Sequence, residues 1–252
     1  MAKNDTLIIF GNGLGMAIDP NRFAISEGLR FAWGKLDEKE QSLLSTLKGI
    51  SKDKPPQSEK ELKSVEEVRL LNVILESIAD DPDAWLSSNL KTVPRTVSNF
   101  RKHVADYFIE KGRSSMDGGI SKLWKNFGDN LLEFISCQKP HVATLNYDAL
   151  LYELFVDKGV PSTGVPVCCP PPDTKLVDGL LRTGFKKDIV LNETWGRGRY
   201  LYLHGSALFY TENKVIKKHK RSEYKSKSNV ISHDHIVLTD HAYKRVLINQ
   251  SP

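Results

Sequence analysis

Three short segments hold the side chains best suited to chemistry on a sugar or a phosphate. In Gly11-Asn12-Gly13-Leu14-Gly15 the alternating glycines let the backbone pass close to a phosphate or ribose, and the N-terminus of a following helix favours an anion. The spacing is G-x-G-x-G rather than G-x-G-x-x-G, and a plain strand-to-helix turn accounts for the same residues. In Thr144-Leu145-Asn146-Tyr147-Asp148 an amide and a carboxylate stand where they could grip ribose hydroxyls. Asx residues in such a place also cap helices, here one beginning near Ala149. In Tyr200-Leu201-Tyr202-Leu203-His204-Gly205-Ser206 an imidazole is followed by a glycine that leaves room beside it, an arrangement suited to a general base or a partner for a ribose hydroxyl. His103, His141, His219, His233, His235 and His241 lack that setting and read as surface or packing residues.

Each segment needs a rigid element to aim it. Thr6 to Phe10 is a β-rich apolar run stopped by glycine, the pattern of a buried parallel strand. His141 to Leu145 predicts a second core strand and Arg199 to Leu203 another, with further strand signals at Asp188–Leu191 and Ile236–Thr239. In an open parallel sheet ligands bind beyond the carboxyl ends of the strands, which is where Asn146, Asp148 and His204 emerge. Between the first two strands the pattern is helical. Phe23, Leu29 and Phe31, then Val65, Val68, Leu71, Leu75 and Ile78, recur three or four apart, and a polar loop from Ser51 to Lys60 carrying Pro55-Pro56 separates them. Pro94 predicts the start of a helix with Val97, Phe100, Val104 and Phe108 on one face, broken at Gly118-Gly119. The next helix is expected from about Ser121 to Cys137, ended by Lys139-Pro140, and a short apolar one from Leu151 to Val156. Pro161, Pro166 and Pro170-Pro171-Pro172 mark connecting loop.

Composition bounds the class. Of 252 residues, 40% are hydrophobic and 27% charged, enough apolar material for a packed core and too little charge bias for a disordered chain. A net charge of +5 permits an anionic ligand without demanding nucleic acid. The basic run from Lys214 to Lys227 is expected as a solvated hairpin tip, with a nucleic-acid backbone as the weaker reading. Apolar runs are short, so neither a membrane span nor a signal peptide is expected, and a cytoplasmic location is the default. Cys137, Cys168 and Cys169 cannot supply a four-thiolate zinc ribbon, and no metal is expected.

In their order, the three segments resemble the sirtuin-like family, with its glycine-rich loop after the first strand, T-x-N-x-D segment and histidine in an H-G pair. The resemblance covers roughly residues 6–24, 141–152 and 199–210, with a weaker echo at 236–239. The T-x-N-Y-D version, without a zinc ribbon and with a large helical insertion, is similar to bacterial sirtuin-like proteins of anti-phage defence that hydrolyse NAD. The resemblance implies an α/β fold, a Rossmann-like parallel sheet in one domain over 1–252 with a helical insertion at 21–138. The chain departs from it in having one late strand signal after His204-Gly205, which is consistent with a sheet lacking its last strands, with strands supplied by a partner, or with a truncated chain. It implies Asn146 and His204 as the catalytic pair, and Gly11, Asn12, Gly13, Thr144, Tyr147 and Asp148 as the residues binding NAD, which is substrate. It further implies a homo-oligomer or a sensing partner protein. Two competing readings remain: a deacylase or ADP-ribosyltransferase using the same NAD, and a silent nucleotide-binding or assembly module that has kept the fold.

Overall fold

The computed structural model describes residues 6–78, 88–114, 119–138, 140–146, 150–155, 180–181, 184–185, 200–203, 205–206, 208–212 and 215–218. Its strands, in chain order, are β1 (Leu7–Phe10), β2 (His141–Thr144), β3 (Leu180–Leu181), β4 (Gly184–Phe185), β5 (Tyr200–Tyr202), β6 (Phe209–Glu212) and β7 (Val215–Lys218). The helices are α1 (Gly13–Ile18), α2 (Pro20–Phe23), α3 (Ile25–Trp33), α4 (Glu38–Leu44), α5 (Lys63–Ile78), α6 (Ser88–Ser114), α7 (Gly119–Gln138) and α8 (Leu150–Phe155), with a 3₁₀ turn at Glu59–Leu62. This is a mixed α/β arrangement. A parallel sheet runs in the order β1-β2-β5, and all the described helices from α1 to α7 lie in the connection between β1 and β2.

Apolar burial decides how these layers meet. Ile8 and Phe10 of β1, Val142 of β2 and Tyr200 of β5 pack with Trp124, Leu132 and Ile135 of α7, Phe23 of α2, and Leu150 and Leu151 of α8. A second core is helical, built where Leu29, Ala32 and Trp33 of α3 meet Val97, Phe100, Val104 and Phe108 of α6. Gly28 is what lets α3 and α6 come this close, since a Cβ there would stand 2.8 Å from Cε2 of Phe108. Tyr202, at the carboxyl end of β5, packs against both cores. The helix starts follow local rules: Asp19 accepts from the Asn21 amide ahead of α2, and Asp37 forms a reciprocal capping box with Glu40 at α4.

Three expectations need correction. Pro94 does not open a helix but lies inside α6, which starts at Ser88. An interior proline removes one hydrogen bond, and here Thr96 and Val97 just beyond it are buried in the core, so tertiary packing outweighs the local break. β1 is an edge strand of the described sheet rather than a buried one. Helices cover its Ile8 and Phe10 side, while Leu7 and Ile9 point the other way and are 51% and 56% exposed. Within the basic run, Val215–Lys218 is not part of a solvated tip but a strand paired antiparallel with β6, and Lys217 and Lys218 are half-buried. The strand signals at 188–191 and 236–239 lie outside the described residues, as do 214 and 219–227 of the basic run.

Candidate functional site

The sheet register brings the three segments to one edge. Phe10 pairs with Thr144, and Thr144 with Tyr202, so β1, β2 and β5 end together. The ladder continues one step further, with the Leu145 amide donating to the Phe10 carbonyl (2.8 Å) and the Leu203 amide to the Thr144 carbonyl (2.9 Å). The glycine turn leaves β1 and the Asn146 turn leaves β2 immediately past these last pairs. The alignment follows from strand pairing alone. It puts the glycine turn, the Thr144-Leu145-Asn146 segment and the backbone bracketing position 204 side by side at the carboxyl edge.

Asn146 lies just past the end of the middle strand, β2, and among the described residues its side chain is the buried polar group without a partner at this edge. Its backbone amide donates to Thr144 Oγ1 at 3.0 Å, which anchors the turn leaving β2. Its side chain is 4% exposed, and neither Oδ1 nor Nδ2 has a hydrogen-bond partner. The helix-cap reading therefore fails for Asn146, whose amide satisfies no backbone donor of α8. Leaving such a group unmatched costs about 1–3 kcal/mol, and a buried amide of this kind has bonding capacity that a water or a ligand can satisfy.

The glycine turn is open beside this amide's segment. A Cβ at Gly11 or Gly13 would meet nothing within 4 Å, so packing within the chain does not require glycine there and the backbone is accessible. Asn12 takes the N-cap position of α1 with helical φ and ψ, makes no side-chain cap, and contributes its carbonyl to the Met16 amide. Thr144 is buried and spends its hydroxyl on the Asn146 turn, so its part is to position Asn146. Gly205 has φ of 74°, a left-handed conformation that favours glycine and turns the chain sharply just after position 204. His204, Tyr147 and Asp148 lie outside the described residues.

Sequence reasoning gave no role to the aromatic residues that support this edge. Tyr202 packs edge-on against Tyr200 and Phe209, both at 4.9 Å, and lies 6.5 Å from Tyr152 of α8. Lys218 of β7 stands 5.2 Å over the Tyr152 ring, so the β6–β7 hairpin is pinned against the helix that follows the Asn146 turn. The alternating Tyr200-Leu201-Tyr202 pattern was the available signal. A shallow cleft on α4, lined by Glu38, Lys39, Gln41, Ser42, Leu43, Thr46 and Lys52, contains none of the expected site residues. Among the described residues, no group of three or more His, Cys, Asp or Glu could hold a metal ion, and no helix is long and apolar enough to cross a membrane. Comparison with protein-family models, with curated proteins and with solved structures returned no match.

Proposed function

We propose that the chain is a sirtuin-like NAD glycohydrolase, cleaving NAD to nicotinamide and ADP-ribose, and that it serves as an effector in bacterial anti-phage defence. The observation that carries the reading is the buried, unpartnered Asn146 amide at the carboxyl edge, where β1, β2 and β5 end together and the glycine turn leaves β1. The open space at Gly11 and Gly13 supports it, because the backbone there can approach a diphosphate. The defence role, and an oligomer or sensing partner that completes the site, rest on the motif resemblance.

The chemistry asks little of an acid. Nicotinamide leaves C1′ as a neutral molecule because its ring nitrogen already carries the positive charge. What needs stabilising is an oxocarbenium-like ribose, with water placed on its open face. Asn146 offers an acceptor and a donor from one planar group, enough to hold that water or a ribose hydroxyl. His204 takes the proton as the water oxygen bonds to C1′ and the C1′–nitrogen bond breaks, a role that typically contributes about 10²–10⁴-fold. By the motif resemblance, Gly11, Asn12 and Gly13 are the contacts to the diphosphate and adjoining ribose, Thr144 and Tyr147 belong to the same NAD-binding set, and Asp148 is a contact on the ribose or nicotinamide side.

The test is nicotinamide release from NAD by the purified chain, alone and with candidate activators, for the native protein, Asn146→Ala and His204→Ala. The proposal expects release by the native chain and a loss of 100-fold or more, about the general-base contribution, in each variant. Equal release from all three contradicts the catalytic assignment. NAD binding without release under every condition leaves a silent binding module.

A further inference from the structure

Helix α7 carries apolar side chains that the core leaves in solvent. Leu123 is 62% and Phe134 44% exposed, and Phe127 between them is half-buried. At 3.6 residues per turn these three fall within about 40° of one another and form a stripe roughly 16 Å long. The core takes a different face of the same helix, through Trp124, Leu132 and Ile135. Packing within the chain therefore accounts for the second face and not for the first.

The polar residues beside the stripe are arranged about its midpoint. Lys122, Asn126, Asn130 and Glu133 are all exposed, and helical spacing puts them along the flank away from Trp124. Counted from Gly128, Leu123 stands five residues before and Phe134 six after, Lys122 six before and Glu133 five after, and Asn126 and Asn130 two on either side. Reversing the helix about that point lays leucine on phenylalanine, asparagine on asparagine and lysine on glutamate. Among the described residues, neither Lys122 nor Glu133 makes an ion pair. Lys122 also stands in the first turn of α7, which holds no acid and where the helix dipole disfavours a cation. The order of charges opposes the helix that bears it and fits a second helix running the other way.

We infer that this face of α7 is the contact between two copies of the chain, packed antiparallel about a two-fold axis near Gly128. Leu123 of each copy lies on Phe134 of the other, and Lys122 on Glu133, so the patch is complementary to itself as a two-fold contact requires. Antiparallel packing also sets the two helix dipoles in opposition. A different protein would have to reproduce both the apolar spacing and the sign order, whereas a second copy supplies them by symmetry. A stripe of this length is smaller than the contact of a permanent dimer, so association is weak and depends on concentration.

The experiment is sedimentation velocity of the full chain without NAD, from about 1 to about 300 μM. Its failure leaves the hydrolysis reading untouched. The native chain is expected to pass from monomer to dimer with a dissociation constant on the order of 10–100 μM. Leu123→Ser/Phe134→Ser should remain monomeric throughout, with an unchanged circular dichroism spectrum because both side chains are exposed. Leu71→Ser, which removes a leucine 54% exposed on α5, should leave the dissociation constant as it is. Lys122→Glu alone and Glu133→Lys alone each set like charges opposite one another and should weaken the dimer roughly tenfold, and Lys122→Glu/Glu133→Lys should restore it. The recovery does not depend on the fate of the serine variant, and a fold defect in a single chain would not produce it. A chain that stays monomeric over the whole range leaves this face to another protein and overturns the assignment. So does a dimer indifferent to Leu123→Ser/Phe134→Ser, one weakened equally by Leu71→Ser, or a charge reversal that the double exchange does not repair.

Discussion

Asn146 puts a cost into the unliganded protein that its neighbours do not relieve. Both ends of its amide are unpartnered in a place 4% exposed. An asparagine retained as a helix cap would lose about 0.5–2 kcal/mol on truncation to alanine. An orphan amide behaves the other way: Asn146→Ala removes an unsatisfied polar group, and the unliganded variant should melt at or above the native temperature in a thermal unfolding scan. A clear drop would mean that the amide has a structural partner. Tyr107 is a second residue with a sign to test. Its hydroxyl donates to the Arg22 carbonyl at 3.0 Å, and its pKa is raised, first by burial and then by Glu27. A folded-state pKa above the unfolded value of 10.0 means that this stability is complete below pH 10 and is lost as pH rises further. Unfolding by urea at pH 8 and pH 11 should show Tyr107→Phe costing about 0.5–1.5 kcal/mol at pH 8, and a smaller loss between the two pH values than in the native chain.

The elements most sensitive to change are the helices between β1 and β2. Gly28→Ala pushes a methyl group against the Phe108 ring at the α3–α6 contact, an overpacking expected to cost about 1–3 kcal/mol by chemical denaturation. Between α5 and α6, Glu66 sits buried with Arg101 (Nε to Oε1, 3.1 Å) and Arg69 (Nη1 to Oε2, 3.9 Å). Glu66→Leu leaves two buried guanidinium groups without their carboxylate and should cost about 3–5 kcal/mol. Replacing all three in Glu66→Leu/Arg69→Met/Arg101→Met should recover most of that loss, because apolar packing substitutes for the ion pairs. A triple variant no more stable than the single one would show that the charges hold the helices in register. None of this ionic contact was legible beforehand: Glu66 and Arg101 are 35 positions apart, and periodicity marks apolar faces rather than charges carried inside them. Pro94 shows the same limit, since a local breaker rule cannot weigh the burial of Val97.

At the scale of the molecule, the sheet was the most legible part. β1, β2 and β5 fall within the expected runs because short β-rich apolar segments bounded by glycine or polar residues have few other solutions. Their pairing order, and the exposure of Leu7 and Ile9 on an edge strand, depend on long-range contacts that no local pattern encodes. The site was legible as three segments, and the register supplies what the segments lacked, strand ends at Phe10, Thr144 and Tyr202 that lie side by side. The aromatic support from Tyr152, Tyr202 and Phe209 joins residues far apart in the chain and emerges only in three dimensions. The most direct measurement is the thermal shift produced by NAD in two proteins that should not consume it, His204→Ala and His204→Ala/Asn146→Ala. At NAD near 100 times its dissociation constant, the first should gain about 2.7 kcal/mol of stability, and the second, lacking the amide that the nucleotide satisfies, much less. An equal shift in both proteins, or none in either, would contradict the account.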